Sequence, residues 1–260
     1  MDNTVTYIKR GESEKKILVM SPVMPEWDNG DFFQPLTEYF LKHGYSVFIV
    51  DTLSLSPQLN EPISYFSQRW AKELESHGPF EIVAGSALGG ALAQLLVSKH
   101  LKTKASCLLL ISAPNNTDAE LRKRLAVIAE LAREGDLDQA MRVLAYRVLP
   151  DTCQPLVTLA PIKSNGSLQQ QERLYIGFSY LYELDIRPEI KEFTGRVLNI
   201  IGERSQLVKA CNAQLDESPA HRTVVIPGGG MRPLIDDALL VISAIEKHLF
   251  NWQENNNERG

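Results

Sequence analysis

The sequence predicts an α/β domain built on a mostly parallel, twisted sheet with helices on both faces. Three observations predict it. Short apolar, β-branched runs alternate along the chain with helical patterns whose ends can be read. Those runs are continuous rather than alternating apolar and polar, which is the pattern of strands covered on both faces. And 260 residues with 44% apolar content are enough for one large core.

Taken in order, strands are expected at residues 5–9, 16–21 (KILVMS), 46–51 (SVFIVD), 80–84 (FEIVA), 106–112 (SCLLLIS), 196–201 (RVLNII) and 222–226 (RTVVI). Between them, a helix over 32–43 should stop at Gly44, and one from a Ser64 cap to His77 should stop at Gly78. Glycine just past a helix end and serine at its start are the expected terminators. Further helices are expected over 88–101 and 234–250. One stretch breaks the rhythm: residues 115–188 hold no convincing strand. Thr117 with Glu120 reads as a capping box opening a helix that ends near Gly135, Asp136 opens a second, and Ser167 with Gln170 a third. The expected division is therefore a core of 1–114 and 189–252, a helical lid of 115–188, and a polar, disordered tail of 253–260.

The formal net charge is −5 and the basic residues do not cluster, which argues against a nucleic-acid surface. The opening residues MDNTVTYIKR lack a signal-peptide apolar stretch, and the longest apolar run, 107–111, is too short to span a bilayer. A cytoplasmic protein with no membrane association is expected. Cys107, Cys153 and Cys211 are odd in number and far apart, so neither a disulfide framework nor a metal site is expected, and no cofactor.

The informative segment is FEIVAGSALGGALAQLL, residues 80–96. A buried strand runs through Gly85, Ser86, Ala87, Leu88, Gly89 and Gly90 straight into an Ala- and Leu-rich helix. Small residues two before and two after a central residue are the mechanics of a strained strand-to-helix elbow, and Gly85 and Gly89 put Ala87 at the apex. As a dinucleotide loop the segment has the wrong spacing and lies in a late strand.

With these residues quoted, the chain resembles the α/β-hydrolase superfamily, of the lidded esterase and thioesterase kind, over nearly its whole length. The glycine turn at 85–90 is similar to the family elbow, Asp51 to a frequent structural aspartate, LDIRPEIKEFTGRVLNIIGERS (184–205) to the segment that re-enters the sheet, and IPGGGMRPLIDDA (226–238) to the loop that carries the histidine. Carried over position by position, the resemblance puts the nucleophile on Ala87, the acid on Ser205 and the histidine on Met231. The oxyanion loop falls on Ser21, Pro22 and Val23. A triad works only as a unit of nucleophile, base and orienter, so ordinary serine hydrolysis is not expected.

The resemblance thus implies a pseudo-hydrolase that binds a small, partly apolar or acyl ligand in the former pocket, lined by Ser21, Val23, Trp27, Ser86, Ala87, Leu88, Tyr175, Phe178 and Met231. Alternatives stay open: an esterase, lyase or cyclase with a non-standard site, using Ser86 or explained by an engineered serine-to-alanine change at Ala87, and a scaffold that meets a protein partner through its lid.

Overall fold

The computed structural model describes residues 5–58, 61–101, 105–153, 167–215 and 217–250. Seven strands, β1 (Tyr7–Arg10), β2 (Lys16–Met20), β3 (Ser46–Val50), β4 (Ile82–Ser86), β5 (Cys107–Ile111), β6 (Arg196–Gly202) and β7 (His221–Ile226), form one sheet in the order β1-β3-β2-β4-β5-β6-β7. All neighbouring pairs are parallel except β1 with β3. β2 to β5 each bury nearly every residue, as continuous apolar runs require.

Helices cover both faces. On one, α1 (Gln34–Lys42) and α9 (Ala238–Ile245) bury Leu36, Phe40, Val241 and Ile245 against Ile17, Val19, Leu109 and Ile200. On the other, α2 (Ile63–Leu74) and α3 (Ala87–Leu95) bury Phe66, Trp70 and Leu92 against Leu18, Val83, Leu108 and Leu110. Between β5 and β6 lie α4 (Ala119–Arg133), α5 (Leu137–Arg147), α6 (Leu168–Ser179) and α7 (Arg187–Ile190). The ends of this segment are stitched together by an isolated antiparallel bridge, Asn116 with Asp185, close to where the sequence divides core from lid.

Several expected ends differ. Asp118, not Thr117, caps α4: its carboxylate accepts from Leu121 N at 2.7 Å, while the Thr117 hydroxyl donates to Leu181 O, tying α4 to the turn after α6. Ser64 lies inside α2, whose N-cap is Pro62. The expected helix over 88–101 ends its α-helical part at Leu95 and continues as a wider turn to His100. The expected 234–250 helix is interrupted at Asp237, which caps α9 through Leu240 N at 2.9 Å and so separates it from α8 (Pro233–Asp236). Asp136 and the Ser167–Gln170 box cap α5 and α6 as read from the sequence. The expected tail, 253–260, lies outside the described residues.

Candidate functional site

β4 delivers the elbow. Ala87, its apex, has φ of 48°, a left-handed conformation that glycine adopts freely and alanine does not. Such a residue costs about 1–3 kcal/mol and persists only where its surroundings over-determine it. The flanking glycines do that by their size. A Cβ on Gly85 would lie 2.5 Å from Gly89 O and 2.7 Å from Gly90 N. A Cβ on Gly89 would lie 2.2 Å from Met20 O and 2.4 Å from Ser21 O, and one on Gly90 would lie 2.2 Å from the Ala113 Cβ. The glycines are needed for close approach, while the strained φ falls on the alanine. Ala87 is half-buried and Leu88 fully buried. The alternation of β4 puts Ser86 on the side of Ile82 and Ala84, which face the α1 and α9 layer, so its side chain is not aligned with the apex.

The strand ends at Gly202 and Ile226 bring the next two positions together. Gly202 has no room for a Cβ, which would lie 2.0 Å from Gly230 O. This backbone-to-backbone contact seats the two loops side by side, and the Ser205 hydroxyl donates to the Met231 thioether sulfur at 3.8 Å, a weak acceptor, with both residues buried. Methyl, hydroxyl and thioether groups at Ala87, Ser205 and Met231 offer no imidazole or carboxylate to accept a proton. Among the described residues, no group of three His, Cys, Asp or Glu side chains is placed to hold a metal ion, and no helix is long and apolar enough to cross a membrane.

These two loops hold the end of α5 instead. Gln206, beside Ser205, donates to the carbonyls of Tyr146 and Leu149 at 3.0 and 3.1 Å and accepts from Arg147 at 3.1 Å. Met231 N donates to Val148 O at 3.0 Å. Gly230 N in turn donates to Asp236 at 2.7 Å. Gln206 thus satisfies carbonyls that a helix end leaves without intrahelical partners. Sequence reasoning passed it over: a buried glutamine whose partners lie about sixty residues away leaves no local signal.

The loop after β2 borders the apex. Ser21 is buried beside Gly89, Trp27 Nε1 donates to the Ser21 hydroxyl at 3.3 Å, and Val23 is buried under α6. Val23, Leu88, Phe178 and Met231 belong to one apolar cluster, with Ala87 half-buried against it. Tyr175 packs half-buried against the same cluster and also lines a groove of about 680 Å³ with Ser64, Arg122, Ser179 and Tyr182. α6 ends at Ser179, so Tyr182 lies beyond the helix that carries Tyr175 and Phe178. Burial pushes the Tyr182 phenol up to about 12, and burial followed by the hydrogen bond to Glu61 raises Tyr180 as well, so both stay neutral.

No protein-family profile matches the chain, and no curated protein matches it in sequence. Solved structures do. MGS-M2, an α/β hydrolase enzyme from a Medee basin deep-sea metagenome library, superposes with a TM-score of 0.77 at 13% identity, covering 94% of each chain. The chain has the α/β-hydrolase fold. A bromoperoxidase from Bacillus anthracis (TM-score 0.75, 15% identity, 94% of this chain and 95% of that one) shares it. So does the enol-lactonase from Burkholderia xenovorans LB400 (TM-score 0.74, 14% identity, 94% and 96%). In this α/β-hydrolase-fold protein, then, the strand-to-helix elbow carries alanine, and the loops after β6 and β7 carry Ser205 and Met231.

Proposed function

We propose that this α/β-hydrolase-fold protein binds a small, partly apolar ligand with a carbonyl or carboxylate group beside Ala87 and does not hydrolyse it. One observation carries the reading: the elbow keeps a strained apex at Ala87, yet no side chain there or at Ser205 and Met231 can attack or relay a proton. The Leu88 amide at the head of α3 and the Val23 amide are the donors offered to the ligand, and Pro22 has none to give. Val148, Leu144 and Met141 of the α5 region pack half-buried against the same cluster as Ala87, which suits an apolar ligand body. Helices α4 to α6 act as the lid over this space, and the reading is of a sensor, carrier or accessory protein.

The test is a fluorophosphonate probe and p-nitrophenyl butyrate. No covalent adduct, no release of p-nitrophenol, and a small molecule retained by the purified protein in native mass spectrometry are the expected results. Stoichiometric labelling at Ser86 would overturn the reading. A second reading, an esterase-like enzyme with a non-standard site, is favoured by solved neighbours described as an esterase and an enol-lactonase. It requires turnover, which the same ester assay reads directly.

A further inference from the structure

We infer that Arg173 is the positioning residue of this site: its guanidinium joins α6 to the loop after β2, and its bond to Met24 O sets the backbone beside Ala87. Two of its nitrogens engage Asp51 in a fork, Nη1 to Oδ2 at 3.0 Å and Nη2 to Oδ1 at 2.7 Å. The third, Nε, donates to Met24 O at 3.0 Å. The pair is largely buried, with side-chain exposures of 13% and 9%. One planar group therefore ties together a helix, the end of a central strand and a loop. A bidentate fork carries geometric specificity that a point charge lacks.

The loop has few other constraints of comparable reach. Ser21 N donates to Val50 O at 3.2 Å at one end, and Trp27 closes back onto Ser21. Met24, the residue gripped by Arg173, follows Val23, whose amide the ligand reading uses. Gly177, one turn beyond Arg173, completes the contact. A Cβ there would lie 2.9 Å from both Val23 methyl carbons and 3.0 Å from Leu53 Cδ1, so the backbone of α6 rests directly on the loop. A displacement of α6 is therefore transmitted to Val23 through a hydrogen bond and through packing at once. The same helix is held further along by Tyr180, which donates to the buried Glu61 at 2.9 Å and stacks on Phe66. That contact lies on the α2 side and does not touch the loop, so it holds α6 without orienting Val23.

The inference rests on the ligand reading only in its second arm. In the first, amide hydrogen exchange is followed in the ligand-free, full-length protein for Arg173→Gln, Arg173→Lys and the exchanged pair Asp51→Arg with Arg173→Asp. Arg173→Gln should speed exchange at least tenfold in both α6 and residues 21–27 while leaving β4 and α3 unchanged. The exchanged pair should recover α6 but not the loop, since an aspartate at 173 has no donor for Met24 O. Arg173→Lys, which keeps the charge, should hold α6 and loosen the loop, and it serves if the other variants fold poorly. A loop that exchanges as in the wild type when α6 is loosened, or that is fully rescued by the exchanged pair, overturns the inference. In the second arm, p-nitrophenyl butyrate binding, read by saturation-transfer NMR, should weaken about tenfold in Arg173→Lys at an unchanged melting temperature. Absence of binding to the wild type would sink the ligand reading alone, with the exchange data still deciding the role of Arg173.

Discussion

The elbow after β4 and the paired loops after β6 and β7 lie at the same end of the sheet, yet they are built on different rules. The elbow is set by backbone contact: carbonyls of Met20, Ser21, Gly85 and Gly89 occupy the space where side chains would be, and Ala87 is held at φ 48° whatever its side chain does. The paired loops meet backbone to backbone at Gly202 and are tied to each other by Glu203 N to Ile226 O and Arg204 N to Gly229 O, and beyond that Gln206 and Met231 bond the end of α5. A geometry enforced by packed backbone does not depend on the side chain at its apex. A geometry that depends on hydrogen-bond partners is free to take new ones, and here the loops serve as a bracket for the overlying helices.

The comparison can be broken most directly at Gly89. Gly89→Ala forces a Cβ against two main-chain carbonyls, which cannot rotate away, and should cost about 3 kcal/mol in urea unfolding. A variant as stable as the wild type would show that the elbow is softer than argued. Next comes Gln206→Ala, which strips two carbonyls and the Arg147 guanidinium of a buried partner. About 2 kcal/mol should be lost, with faster amide exchange in α5 and none in α3. Loss spread evenly over the molecule would mean that the loops do not act on α5 in particular.

Smaller effects sharpen the contrast. Ala87→Gly relieves the left-handed conformation and should raise stability by about 1 kcal/mol. A loss instead would mean that the Ala87 methyl packs better than its half-exposure suggests. A control lies away from both regions. Tyr39, on α1, and Tyr45, just after it, are pushed up from 10.0 to about 12, chiefly by burial. A folded pKa above the unfolded one favours the neutral phenol in the native state. This contribution is therefore complete below pH 10 and is lost as the pH rises from about 10 to 12. The melting temperature should fall in that window equally for the wild type and for Ala87→Gly.

Much of the site was legible because its signals are local. The spacing of Gly85 and Gly89 around Ala87 announces the elbow, and the caps at Asp136 and Ser167 announce α5 and α6. At Thr117 a side chain's local option gives way to a tertiary one: its hydroxyl bonds Leu181 O, and Asp118 takes the capping position. Arg173 carried one faint signal, lying a turn before Gly177 and two before Tyr180 on a helix expected to cover the sheet.

What the sequence determined by itself was the layered α/β architecture, the strand-to-helix elbow and the identities of Ala87, Ser205 and Met231. The first two follow from residues adjacent along the chain, where sterics, apolar period and capping act over a few bonds, while Ser205 and Met231 are positions that the family resemblance alone implies. Only the tertiary structure decided that Ser205 meets Met231, that Gln206 closes the end of α5, and that Arg173 reaches Asp51 across 122 residues. Those contacts depend on the path of the whole chain. A buried hydrogen-bonding group accepts whichever partner the packed layers bring within 3 Å, and no pattern of neighbours in the sequence specifies which one that is.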